Sequence, residues 1–547
     1  MPMFSCPLLR NAGRIHGVLM KNERLVFLVF LFLSLLQLWY TRYVPSLDGP
    51  QHLYNAQVLA ELLKGNDLFA TFFSVNDTIV GYWTGHFALA LFKTFLPAWL
   101  AEKFFLSAYV IAMVFSFRYL VRGLQPVKGN FVSYLIFPFI YHAYLLMGYY
   151  SFSIAAIFFF LAFGLLVRQG FSPGARGLVM LALILIGLFL SHALVYVFFG
   201  MAFVVWFLAS LAHDLLVNRD KFRISHWLKA LWKVSLAVLP SLLLWVVYIR
   251  SVMSINSTVA APSYSFSELV KFLMRIRQLV GFHHEQEAIG YIPLFIFIAV
   301  LVITVTVLLA GRIKDRSARW TVLLDKRNSW IFVSLVFLGL YLFAPDRISA
   351  GSLTHRFGLF FFLALITWLS VQKYPPVFHV VSVALLLAVI SYTRATHYRY
   401  YRNLNRDIAH IEKLADHMEP NSVVYSLNAT NNWVHRHFQL YAASDDPLVH
   451  LKNPQCQGQF PVVWNMPSLP RCFAGTHEVR PAGAGKVPDD RQRVQVDYVT
   501  VFFYDRFMAD STNVMWQQIL EEDYTLRYVD DKEKAALFRS RQDNREP

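Results

Sequence analysis

Directly after its first long apolar run the chain reads VPSLDGPQHLYN, Val44–Asn55, with a carboxylate at Asp48 and an imidazole at His52. A carboxylate and an imidazole that project over a membrane surface can take a proton from an acceptor hydroxyl or share a divalent cation. The simpler role for Asp48 is a helix cap, because a carboxylate accepts the unpaired N–H groups of a first turn. Pro50 fits the first helical position, where its missing N–H has no partner to lose. The helix is predicted to run to about Lys64, with Leu53, Ala56, Leu59, Ala60 and Leu63 on one face and Gln51, Asn55, Glu61 and Lys64 elsewhere. A helix of that pattern is expected to lie along a membrane surface.

Composition says what must hold these residues. Of the 547 residues, 56% are hydrophobic and only 15% are charged, against about 25% charged in soluble chains. Apolar runs near the ~20-residue spanning length recur from Leu25 to Thr393 and then stop. The net charge of +16 would suit nucleic acid, but the Lys and Arg gather in short segments between apolar runs. That pattern orients a membrane protein, so no nucleic-acid partner is expected. Three cysteines are too few for a disulfide framework or a cysteine zinc site, although Cys456 and Cys472 could pair in an oxidising compartment.

Crossings are predicted near Leu25–Arg42, Ala101–Val121, Phe131–Met147, Ser151–Val167, Leu178–Leu190, Ala193–Ala212, Leu231–Ile249, Ile292–Gly311, Trp330–Pro345, Phe357–Val371 and Val377–Thr393. Charge settles two ambiguous places. Counting Ile79–Leu96 as a span would put Arg118, Arg122 and Lys128 outside, so this stretch is read as a second surface helix. The run Leu178–Ala212 has basic flanks at both ends, which makes it a hairpin with Ser191 and His192 at its outer tip. The total is about eleven crossings, with the N-terminus inside and the C-terminus outside.

The predicted fold class is therefore a polytopic α-helical membrane protein with a C-terminal α/β extracytoplasmic domain. Residues 1–24 form a cytoplasmic N-terminus, whose apolar continuation lacks a small-residue cleavage site and reads as an uncleaved anchor. Residues 25–393 form the membrane domain, with 43–100 as its first outer loop. Residues 394–547 form the outer domain of about 150 residues, enough to support its own core. In that tail NRDIAHIEKLADHM and VMWQQILEED read as helices, and SVVYSLN, VDYVTVFFYD and YTLRYVD as strands. PAGAGKVPDDRQ reads as a loop without phosphate-loop spacing.

One crossing followed by a long outer loop that opens on DGPQHLYNAQVLAELLKG resembles the GT-C class of integral-membrane glycosyltransferases. GYWTGHFALALF is similar to the second juxtamembrane helix of protein O-mannosyltransferases and lipid A aminoarabinose transferases, which brings in Tyr82 and Trp83 as substrate contacts. The resemblance covers roughly residues 25–215 and rests on layout and short motifs. It implies a polyprenyl-phosphate-linked sugar as donor, a lipid, glycan or protein acceptor, contact with membrane lipids, and a multi-pass bacterial inner or plasma membrane location. It implies Asp48 as the base. Many members carry a second acidic residue in the next outer loop, but here that loop is MGYYSF, Met147–Phe152, without a carboxylate. The expectation is thus no cofactor, or one divalent cation (Mg, Mn or Zn) on Asp48 and His52.

A leaving phosphate needs cations as its charge develops. Arg347, His355 and Arg356 in PDRISAGSLTHRFG are the candidates, and Arg356 leads because it opens a crossing from the outer side, against arginine's cytoplasmic bias. Its plainer role is an interfacial arginine that snorkels. Lys271, Arg275 and Arg277 are read as decorating another surface helix at lipid headgroups. His192 could stand in as a ligand or hydrogen-bond partner, although a structural histidine inside the bundle is the plainer reading. His283-His284-Glu285 has no metal-ligand spacing and reads as loop. Two other classes stay open: a transporter or flippase of lipid-linked saccharide, and a non-catalytic membrane assembly factor.

Overall fold

In hydrocarbon every backbone N–H and C=O must find a partner within the segment, so long apolar runs fold as helices. The computed structural model describes residues 7–125, 130–253, 264–280, 290–314, 320–344, 353–456, 458–465 and 496–541. Among them seven helices are long and apolar enough to cross a membrane: Ala98–Leu124, Tyr150–Gln169, Ala193–Val217, Ile224–Ser251, Tyr291–Leu309, Leu353–Ser370 and Pro376–Ala415. The architecture is that of a helical membrane protein. Ala175–Ser191 and Trp330–Phe343 are shorter apolar helices. The expected crossing Phe131–Met147 is broken: Phe131–Phe139 is a 3-10 helix containing Pro138, and a single α-turn follows at Ala143–Leu146. Proline removes a backbone donor and opposes a regular helix there.

The chain divides into two compact units, neither of them continuous in sequence. The first comprises Met1–Tyr40, Ser107–Leu146 and Phe152–Tyr398; the second comprises Thr41–Leu106, Met147–Ser151 and Arg399–Pro547. The first unit has an aromatic core in which Phe163 meets Phe199, Trp206 and Trp330 at ring separations of 5.0, 5.7 and 5.0 Å. Its nearly buried Glu23 is paired with Arg118 at 2.6 Å and with Arg122 at 3.1 Å, and also accepts from the Tyr134 hydroxyl. A charge in such a place is tolerated because it is paired and hydrogen-bonded.

The second unit carries the strands β1 (Phe73–Val75), β2 (Val423–Asn428), β3 (Val449–His450), β4 (Val462–Trp464), β5 (Tyr498–Phe502), β6 (Tyr524–Val529) and β7 (Ala535–Ser540). β1 and β4 form an antiparallel pair, and the others form one sheet in the order β3-β2-β5-β7-β6. β2 is parallel to both β3 and β5, whereas β7 runs antiparallel to β5 and β6. β5 is buried along its whole length and β2 along all but its last residue, as expected for central parallel strands.

The helix that follows Asp48, Gly49–Lys64, differs from its amphipathic prediction. It is buried on every side from Gly49 to Glu61, Gln51, Asn55 and Gln57 included. Within its unit it packs against the helix Trp83–Lys93 and the 3-10 helix Trp433–Ala443. The polar face is therefore met by protein groups rather than left to water. Asn55, for example, donates to Gln455 and accepts from Asn453.

Candidate functional site

Asp48 stands at the N-cap position of Gly49–Lys64, yet its side chain makes no capping hydrogen bond. That task falls to Ser46, whose Oγ accepts the Gly49 N–H at 3.0 Å. The Asp48 backbone N–H instead donates to the Met147 carbonyl at 3.0 Å, and the Gln51 amide reaches Asp48 Oδ1 at 3.4 Å. The MGYYSF loop thus has a structural part even without a carboxylate. Gly148 has φ +85°, and a Cβ there would lie 2.5 Å from the Gly49 nitrogen and 2.9 Å from that of Asp48. Only glycine allows this close approach.

The sequence missed the acid that shapes this region. Glu102, in the first turns of Ala98–Leu124, is fully buried. Its Oε2 accepts the Val44 N–H at 3.1 Å and its Oε1 accepts the Tyr150 hydroxyl at 2.7 Å. Both oxygens are engaged in holding the segment before Asp48, so Glu102 is a positioning residue. An intramembrane carboxylate is costly without such partners. It went unnoticed because a charge at the start of an apolar helix looks like a flank.

His52 is buried four residues on, and its Nδ1 lies 3.1 Å from Nε2 of His86. The Nδ1 of His86 is 2.9 Å from the Tyr82 carbonyl, which can only accept, so that nitrogen carries the proton. Nε2 of neutral His86 is therefore an acceptor, facing both His52 Nδ1 and the Asn55 amide, while the Gly148 carbonyl also lies at the His52 ring. Tyr82, at φ 68°, is held in the left-handed region that bulky side chains avoid, and its ring stacks on Phe460. Trp83 opens the helix Trp83–Lys93 and is half-buried. The His52 ring also stacks on Tyr150, at 5.2 Å between centroids. Burial holds His52 well below the usual histidine range, with His86 adding to the effect, and burial brings His86 down to about 4.

A pH dependence follows from these depressed values. Between about 6.5 and 4 the unfolded chain binds a proton that folded His86 refuses, so stability is full above the ordinary histidine value. It falls as pH drops through that window, by about 1.4 kcal/mol per pH unit for each such histidine. Thermal melts in detergent are expected to show a lower midpoint at pH 5 than at pH 7.5, and the decrement should shrink in His86→Gln. An equal decrement in the variant would remove His86 from the effect.

In the first unit, His192 breaks the chain between Ala175–Ser191 and Ala193–Val217 in an extended conformation. Its Nδ1 faces the Leu194 N–H at 3.3 Å. Burial, and then Arg356, push its pKa well down. Nε2 lies 3.4 Å from an Arg356 terminal nitrogen, and because a guanidinium can only donate, the imidazole is the group that accepts and so orients Arg356. The Arg356 guanidinium lies 5.3 Å from the Phe152 ring centre and 5.9 Å from that of Tyr144. At 8% exposure this arginine does not snorkel to an interface.

The structure does not bring His355 to this pair. Its ring sits between Tyr264 and Phe272, and its Nδ1 meets the Gln278 amide at 3.3 Å. The adjacent positions on Leu353–Ser370 point in different directions. Arg347, His283-His284-Glu285, Cys472 and PAGAGKVPDDRQ lie outside the described residues. Cys456 is buried against Asn453. Among the described residues no three His, Cys, Asp or Glu side chains form a group that could hold a metal ion. A cation on His52 would have to displace its contact with His86. The side chains in question fall into two clusters, Asp48, His52, Tyr82 and His86 in one unit and His192 with Arg356 in the other. Compared as a whole, the chain matches no family model, no curated protein and no solved structure, so its function has to be argued from these two clusters.

Proposed function

We propose that the chain is a membrane glycosyltransferase that moves a sugar from a polyprenyl-phosphate donor to an acceptor hydroxyl on the extracytoplasmic face. The single observation that carries the reading is Asp48 at a helix start that Ser46 caps, so that capping does not account for the carboxylate. The acceptor oxygen attacks the anomeric carbon, its proton passes to Asp48, and the carbon–oxygen bond to the lipid phosphate breaks with inversion. The phosphate leaves as an anion and needs no general acid. Arg356, held by its contact with His192, is the donor that would receive its charge. The reading includes about eleven crossings, an inside N-terminus and an outer C-terminal domain.

The test is a donor panel. Purified chain in liposomes is given polyprenyl-phosphate sugars of different kinds with membrane acceptors, and products are read by mass spectrometry. Transfer from at least one donor is expected. Movement of lipid-linked sugar across the vesicle wall without any transfer would replace this reading by that of a transporter.

A further inference from the structure

The sheet of the second unit has a feature that the transfer reading does not use. From β2 the chain passes through Trp433–Ala443 to β3 on one side, and it later returns as β5 on the other side. Both neighbours are parallel to β2, so the strand order reverses at this point. In open α/β sheets the crevice beyond the carboxyl ends of the strands at such a reversal is where ligands bind. The carboxyl ends of β2 and β5 are in register, Asn428 opposite Phe502.

A cavity of about 730 Å³ lies at that position, lined by residues that follow both strands together with Tyr425, Lys452 and Trp516. Its size falls within the ordinary range for small-molecule sites. The loop after β2 is held open by its own hydrogen bonds. Asn428 Nδ2 donates to the His435 carbonyl at 2.8 Å, Asn428 Oδ1 accepts the Thr430 N–H, and Thr430 Oγ1 accepts the Asn432 N–H. Trp516, half-buried, is backed by the buried Tyr425, with the rings 5.4 Å apart and nearly parallel. A rigid aromatic surface of this kind takes the apolar face of a ring.

Two cations, Lys452 and Arg506, and one carboxylate, Asp510, line the crevice, so its net charge is positive. Lys452 is half-buried, its ammonium within 3.5 Å of the Ser426 carbonyl, and no carboxylate among the described residues forms an ion pair with it. Arg506, on the short helix after β5, adds a second cation at the rim. A half-buried lysine that pairs with no carboxylate attracts an anion. We propose that this crevice binds an acidic saccharide, a sugar ring that carries a phosphate or carboxylate, with the ring on Trp516 and the anion at Lys452. The site goes beyond the transfer reading and does not depend on it.

The test is ligand-observed saturation-transfer NMR on the full-length protein in detergent. The probes are a hexose 6-phosphate, glucuronic acid, the neutral hexose, inorganic phosphate and adenosine monophosphate. The two acidic sugars are expected to bind through their ring protons, on the order of tenfold more tightly than the neutral hexose, as for one charge-assisted contact. Lys452→Met should bring the hexose phosphate down to the level of the neutral sugar, and Asp48→Asn should leave its binding unchanged. Trp516→Ala should remove the ring-proton signal, while Trp516→Phe, which keeps an aromatic face, should retain it. The proposal is overturned if no saccharide binds, or if binding survives both Lys452→Met and Trp516→Ala. It is also overturned if inorganic phosphate competes as well as the hexose phosphate, or if the nucleotide binds more tightly than every sugar. A protein that binds the acidic sugars and transfers nothing loses only the transfer reading.

Discussion

Asp48→Asn is expected to reduce sugar transfer by roughly 10²–10⁴-fold, the range that a positioned general base contributes. Asparagine keeps the shape of aspartate but cannot take the acceptor's proton. Because the base acts in the transition state, the loss should appear in kcat, with KM for the donor little changed. The geometry also says what should not happen. The Asp48 side chain makes no capping hydrogen bond, the amide oxygen of asparagine can keep the contact with the Gln51 amide, and the backbone contacts to Met147 and His52 survive the substitution. The thermal midpoint in detergent should therefore stay near that of the parent. Parent-like turnover in Asp48→Asn would remove Asp48 as the base.

Glu102 sharpens that reading by contrast. It too is an acid in the same unit, fully buried, and it would be the obvious rival as a base. Yet one oxygen takes the Val44 N–H and the other the Tyr150 hydroxyl. Each oxygen keeps a second lone pair, but the side chain has no exposed face on which to meet an acceptor. Its work is to tie the segment before Asp48 to the start of Ala98–Leu124.

How much of this could be read from the residues depends on the range of the interaction. Apolar runs dictate helices locally, so the seven long apolar helices were legible, as was the break at His192. Pro138 interrupts the run from Phe131, whose continuous apolar pattern otherwise reads as a span. The helix Pro376–Ala415 continues past the last predicted crossing because no glycine or proline interrupts it before Pro420, although its charge rises steeply after Thr393. β2, β5 and β6 carry strand patterns, whereas β3 and β4, at two and three residues, are too short to show a period. The site was less legible. Asp48 and His52 stand in one short motif, but the His86 partner, the glycine contact at Gly148 and the grip of Glu102 on Tyr150 join residues far apart in sequence. Gly49–Lys64 looked amphipathic because its buried polar side chains have partners that no spacing rule reveals.

Arg356→Ala is expected to lower transfer by on the order of 10²–10³-fold, the usual effect of removing one donor from a developing oxyanion. As the carbon–oxygen bond to the phosphate breaks, negative charge gathers on the leaving oxygen, and a buried guanidinium stabilises it more than a hydrated cation would. Lysine should not restore activity, because a point charge lacks the planar fork of donors that spans a phosphate. His192 supplies an independent check. Its ring nitrogen takes the Arg356 N–H, so His192→Gln, whose amide oxygen can take that N–H instead, should retain more activity than His192→Phe. A purely structural role for Arg356 makes a different forecast: both Arg356 variants would lower the thermal midpoint and cut the amount of folded protein, with unchanged turnover per folded molecule. Parent-like turnover in folded Arg356→Ala would take the phosphate away from this pair. The decisive comparison is thus kcat per folded protein across Ala, Lys and the His192 pair, because packing alone gives no reason for glutamine to outperform phenylalanine beside Phe152.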